Sequence, residues 1–120
     1  FPLPSAHRHV PEAFAGMIGT ATVFVDGVAS LITEHELPWA INQLGARGEY
    51  RFATPYPRNG TEAADSADGE LEDYLHLYLA NRGILLTPFH NMALMAPTTT
   101  VADVERHHEV FAQALASLPR

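Results

Sequence analysis

The sequence predicts a small α+β domain, a short and mostly antiparallel sheet of about four strands with helices packed on one face. Three observations lead there. Long stretches near both ends, and a shorter one in the middle, repeat apolar residues at helical spacing. Between them lie two pairs of short apolar or alternating runs, each pair bracketed by turn residues. The chain has 120 residues, 47% apolar and 18% charged, which is enough for one core and too apolar for disorder. The predicted order is α-β-β-α-β-β-α.

Phe1 to Val10 is rich in Pro and His and reads as a loosely ordered lead, with the domain proper spanning 11–120. Pro11 suits a first helical turn, and Glu12 favours its positive end. Phe14, Met17, Ile18, Ala21, Phe24, Val25, Val28, Leu31 and Ile32 then form one apolar stripe, predicting a helix from Pro11 to about Glu36. Gly16, Gly19 and Gly27 each weaken it by ~1 kcal/mol relative to Ala, so a close neighbour is expected. At ~1.5 Å per residue the helix is nearly ~40 Å long, more than a small domain covers. That length hints at a partner.

Leu37-Pro38 ends the helix. Trp39 to Leu44 and Glu49 to Thr54 read as strands around a Gly45-Ala46-Arg47-Gly48 turn. Pro55 to Gly69 shows no periodicity and reads as one long surface loop. Leu71, Tyr74, Leu75, Tyr78 and Leu79 mark a second helix, acidic at its start and stopped at Gly83. Ile84 to Leu86 and Met92 to Met95 read as two more strands. Thr100 to Asp103 reads as a capping box opening the last helix, whose core stripe is Val101, Val104, His108, Phe111, Leu115 and Leu118.

Composition removes several functions. The net charge of -7 argues against nucleic acid and anionic membrane as partners, since both need a basic footprint. No apolar run reaches the ~20 residues of a membrane span, and no signal peptide is visible. There is no Cys, which excludes disulfides and thiol chemistry. All seven basic residues are Arg, so no lysine amine exists to bond a carbonyl cofactor. The chain begins at Phe1, which reads as a processed product or a piece of something longer.

Among polar candidates, His7 and His9 lack the further ligands a metal needs. His107 and His108 are adjacent on a helix, so their side chains should diverge by about 100 degrees; His108 reads as packed and His107 as solvated. Glu34, His35 and Glu36 read as the polar end of the first helix. The acidic residues from Glu62 to Asp73 match no calcium loop and read as solvated. Arg47 and Arg51 could clamp a carboxylate or phosphate, or pair with Glu49 on a sheet surface. Phe89, His90 and Asn91 lie between the last two strands. Either Phe89 packs while His90 and Asn91 are exposed, or the loop offers an aromatic wall, an imidazole and an amide to a ligand.

The runs Leu37-Pro38-Trp39 to Leu44-Gly45-Ala46-Arg47, Leu75 to Met92 and Asp103-Val104-Glu105-Arg106-His107 resemble the C-terminal small domain of class III, pyridoxal-phosphate-dependent aminotransferases of the glutamate-1-semialdehyde aminomutase type. The pattern is a helix ending in Asn81-Arg82-Gly83, a buried strand, a turn over Pro88 to Asn91, a second strand, and a Thr-rich lead into the last helix. It covers about residues 12 to 118. The resemblance implies a parent enzyme whose large N-terminal domain carries the cofactor lysine, the aspartate on the pyridine nitrogen and the phosphate loops. It implies pyridoxal phosphate in that parent and none bound by this chain, which alone should be inactive. It further implies a cytoplasmic homodimer acting on a small amino donor or acceptor, with this domain closing over the active site. Phe89, His90, Asn91 and Arg47 would lie near the substrate. His90 falls where aminomutases of this type often carry an acidic residue, and no Arg occurs between Gly83 and Asp103, so a different donor or acceptor is implied. The competing readings are a stand-alone α+β ligand-binding or interaction module and a His-based metal protein.

Overall fold

The computed structural model describes residues 3–84 and 91–118. Its elements are α1 (Leu3–Glu34), β1 (Ala40–Leu44), β2 (Arg47–Arg51), α2 (Gly60–Asp65), α3 (Gly69–Ala80), β3 (Met92–Leu94) and α4 (Val101–Ala116). The α+β class holds, with one antiparallel sheet in the order β1-β2-β3.

The first helix starts at Leu3, eight residues ahead of the expected Pro11, so its backbone includes most of the stretch read as a lead. Pro4 lies in the first turn, where no N–H is needed. The helix ends at Glu34, and the chain turns off it in a Schellman arrangement. Leu37 N donates to Ile32 O, Glu36 N donates to Thr33 O, and Glu36 takes φ +53 in the left-handed region. Ala21, Phe24, Val28 and Ile32 are its buried stripe, while Phe14 and Val23 are exposed. Phe14–Glu34 is long and apolar enough by composition to cross a membrane, contrary to the expectation that no run would be. Its buried stripe packs against the sheet and α4, but only 22% of that apolar stretch is buried within the domain.

The β1–β2 hairpin is tighter than expected. Leu44 pairs with Arg47, so only Gly45 and Ala46 form the loop, with Gly45 at φ +58 in the first loop position. Arg47 and Gly48, read as turn residues, belong to β2, and that strand stops at Arg51 rather than Thr54. Gly48 is there for space. A Cβ on it would stand 2.9 Å from Val25 Cγ2 and 3.0 Å from Phe24 Cδ1. β3 pairs with β2, from Arg47–Leu94 to Glu49–Met92, and the ladder continues through Tyr50 N to Asn91 O (3.0 Å) and Met95 N to Ala46 O (2.9 Å).

Three strands are described where about four were expected. Ile84 is not in a strand, and Leu85 and Leu86 lie outside the described residues. The long loop contains α2, started by Asn59 accepting from Glu62 N and by an Arg58–Glu62 ion pair at 3.0 Å. These contacts are local polar ones, which hydrophobic periodicity does not register. α3 is capped by Asp68 and leaves through Gly83 at φ +82. α4 carries the expected capping box between Thr100 and Asp103.

The helices pack on one sheet face around Phe24, Val28, Tyr50, Leu75, Leu79, Val110 and Phe111. Trp39 stacks on Tyr50 and meets Phe52 and Phe111 edge-on. Tyr74 Oη donates to Ala114 O (3.0 Å), tying α3 to α4. The opposite sheet face carries Leu44 and Leu94, each 67% exposed, on either side of Arg47.

Candidate functional site

Of the four predicted substrate-proximal residues, Phe89 and His90 lie outside the described residues. Asn91 is buried, at 8% exposure, and its main-chain oxygen continues the β2–β3 ladder beside Tyr50. A sheet-edge position with a buried amide differs from the exposed turn residue of the bland reading. Among the described residues, Asn91 Oδ1 has no hydrogen-bond partner, nor has the neighbouring Arg51 Nε. Both residues line a cleft of about 100 Å³ with Phe52, Ser66, Asp68 and Glu72. Arg47 is three positions back along β2 from Tyr50, the partner of Asn91, about 10 Å at ~3.4 Å per residue, and exposed on the uncovered face. The structure therefore does not bring Arg47 and Asn91 together.

The bland reading of the strand arginines holds for Arg51. Its Nη2 meets Glu49 Oε1 at 3.2 Å, and Tyr56 Oη donates to the same oxygen at 2.8 Å. Burial, and then the bond to Glu49, raise the Tyr56 hydroxyl above its ordinary pKa. This is a half-buried network on the outer sheet face.

A second site was not anticipated. His107, read as solvated, is the buried imidazole at 5% exposure, and His108 is half-buried. The core stripe of α4 is Val104, His107, Phe111 and Ala114, with Val110 and Leu115 beside it, while Val101 is exposed. The series Val104, His107, Phe111, Ala114 and the expected series Val101, Val104, His108, Phe111 share the same i, i+3, i+7, i+10 spacing, so periodicity alone does not choose between the two histidines. The two rings do not diverge as adjacency on a helix suggested. Their Nδ1 atoms stand 3.1 Å apart, because both rings lean toward Phe24, at 4.7 and 5.5 Å between centroids. Gly27 makes room for His108 on α1, since a Cβ there would collide with the imidazole. The close neighbour expected for the α1 glycines is thus found at Gly27.

The proton arrangement follows from the partners. A carbonyl oxygen only accepts, so His108 Nε2 donates to Val23 O at 3.5 Å. His108 is held neutral-leaning because burial lowers its pKa, against the opposing pull of Val23 and Glu105. Its Nδ1 therefore accepts from His107 Nδ1. His107 Nε2 is left with a lone pair and no partner among the described residues. Burial first, and then His108, push the His107 pKa down to about 3. His107 sits at the wall of a cavity of about 270 Å³ between α1, β3 and α4, whose lining includes Phe24, Ala93, Met95, Asp103 and Val104. No group of three His, Asp or Glu able to hold a metal occurs among the described residues.

Neither a protein-family model nor a curated sequence matches the chain. Solved structures do. A glutamate-1-semialdehyde aminomutase from Pseudomonas aeruginosa PAO1 is 47% identical over 88% of this chain, with a TM-score of 0.86. The chain is similar to one part of a glutamate-1-semialdehyde aminomutase. It spans 23% of that enzyme's length. A variant of the aminomutase solved in complex with PMP matches equally, at 47% identity and TM-score 0.86. An omega-transaminase from Sphaerobacter thermophilus, 20% identical over 92% of this chain and 25% of its own, shares the fold with a TM-score of 0.76. The aminotransferase resemblance read from the sequence holds. The residues of this chain do not by themselves fit the cofactor, because without a lysine none can join its aldehyde.

Proposed function

We propose that this chain is the C-terminal small domain of a longer pyridoxal-phosphate-dependent aminotransferase or aminomutase, closing over that enzyme's active site. The 47% identity across 88% of the chain, with the same fold, carries this reading. The relative's far greater length supports the existence of a large domain that this one meets. Pyridoxal phosphate, held there, supplies the electron sink for chemistry at an amino-bearing carbon. The PMP bound to the aminomutase is the amino form of that cofactor.

This domain's contribution is recognition and the exclusion of water. Phe89, His90, Asn91 and Arg47 are the proposed substrate-proximal groups. Asn91 supports this with a buried amide oxygen that no described residue satisfies, a state costing about 1–3 kcal/mol unless a partner completes it. Arg47 supports it as an exposed guanidinium between two exposed leucines on the uncovered sheet face. That face, with Leu44 and Leu94, suits contact with the large domain. The parent is proposed to be a cytoplasmic homodimer acting on a small amino-acid-like donor or acceptor.

The test is transamination by the longer protein, supplied with pyridoxal phosphate and a panel of amino donors. Activity is expected there and not in the 120-residue chain alone. His90→Ala or Asn91→Ala should change kcat/KM unevenly across the donors. A longer protein with no activity on any donor, or variants unchanged on all of them, would overturn the reading.

A further inference from the structure

The long segment before α3 carries one chemically reactive pair, Asn59-Gly60, the only place in the chain where asparagine precedes glycine. Both residues are exposed, and they form the N-cap and the first residue of α2. The Gly60 N–H heads that helix, so it is one of those with no intrahelical acceptor. Glycine has no Cβ to shield its nitrogen. A Cβ built on Gly60 would meet nothing within 4 Å beyond its own helix and chain neighbours, so the space around it is open. The Asn59 side-chain carbon is placed to close a five-membered ring with that nitrogen.

What holds the pair apart is local and weak. Asn59 Oδ1 accepts from Glu62 N at 2.9 Å, and Arg58 Nη2 pairs with Glu62 Oε2 at 3.0 Å. α2 has six residues, none of them buried. A helix this short, with no buried face, opens at little cost. Asp68-Gly69 makes the same N-cap pattern at the start of α3, but α3 runs for 12 residues and buries Leu75 and Leu79. The pair on α2 is therefore the one free to react.

We propose that Asn59 is a site of spontaneous modification, at which the side-chain amide is lost and a carboxylate takes its place. The step does not depend on the aminotransferase reading. As α2 opens, Asn59 releases Glu62 N and rotates off its extended ψ of 174. Gly60 N gives its proton to water and attacks Asn59 Cγ. The Cγ–Nδ2 bond breaks, and the nitrogen takes up a proton from water and leaves as ammonia. The cyclic imide then adds one water. Cleavage between Gly60 N and Cγ gives aspartate, and cleavage between Gly60 N and the main-chain carbon gives isoaspartate. Nothing is oxidised or reduced. Aspartate caps a helix as well as asparagine does. Isoaspartate puts the Cβ methylene into the main chain and removes the cap, so α2 frays. Ser66, at the far end of α2, lines the cleft of Arg51 and Asn91, so the modification loosens one wall of that cleft.

The test incubates the 120-residue chain in buffer and, in parallel, in urea, and follows both by anion exchange and peptide mapping. A form one unit more negative than the starting net charge of -7 should accumulate, with the change mapped to Asn59. The cap should slow the native chain by about fivefold relative to urea. A native chain slower by more than about a hundredfold, beyond what any single cap supplies, overturns the site. Gly60→Ala, which the open space admits, should suppress the new form; an unchanged rate overturns the role of Gly60 N. In the isolated isoaspartyl form, the amide hydrogens of Ala63 and Ser66, bonded to Asn59 O and Glu62 O, should exchange faster. Unchanged exchange there overturns the loosening of α2.

Discussion

His107 ties stability to pH. Its folded pKa of about 3 lies below the unfolded value of about 6.5, so only the unfolded chain binds the proton between them. Its contribution is fully present above pH 6.5 and is lost as pH falls toward 3, by up to about 1.4 kcal/mol per pH unit. Urea midpoints at pH 7 and pH 5 should therefore differ more in the native protein than in His107→Phe. Equal differences in the two would sink the idea. Glu36 is a second local stress. It holds φ +53 at the end of α1, where glycine is the usual occupant. Glu36→Gly should raise stability by about 0.5–1 kcal/mol in urea unfolding, the relief of left-handed strain less the added freedom of the unfolded chain. A loss of stability would show that the Glu36 side chain makes a contact worth more than the strain.

At the level of elements, α1 comes close to β2 at Gly48. Strand propensity alone favours Ala over Gly by about 0.5–1 kcal/mol. At Gly48 the sign should reverse, because the new Cβ meets Val25 and Phe24 within 3.0 Å in a fully packed layer. Gly48→Ala should cost about 1–3 kcal/mol by denaturant unfolding; a neutral or stabilising result would mean that α1 can shift away from the sheet. Gly48 also shows why the hairpin was misread. In the sequence, Gly45-Ala46-Arg47-Gly48 carries two glycines, and both look like turn formers. Only Gly45 needs its positive φ; Gly48 is needed for space. A glycine's reason is not written in its neighbours. The capping box at Thr100 and the stop at Gly83 were legible because both depend on residues a few positions apart. Short α2 was not, since its cap and ion pair leave no apolar period.

For the whole molecule, the long axis of 58 Å against 32 and 24 Å reflects α1, which runs on beyond the rest of the domain. The expectation from sequence that this helix is too long for its domain to cover agrees with the exposure of Phe14 and Val23. Apolar periodicity and local signals determined the class, the three longer helices, the capping box at Thr100, the stop at Gly83 and the family resemblance, because each rests on residues close in the chain or on their order. Only the tertiary structure decided which histidine is buried. A shift of one residue on α4 moves a side chain by about 100 degrees, and Phe24 and Gly27, some eighty residues away, set which ring fits. It also decided that β3 pairs with β2, and that Arg47 and Asn91 stand apart. Strand partners are chosen by long-range packing, and long-range packing has no period in the sequence.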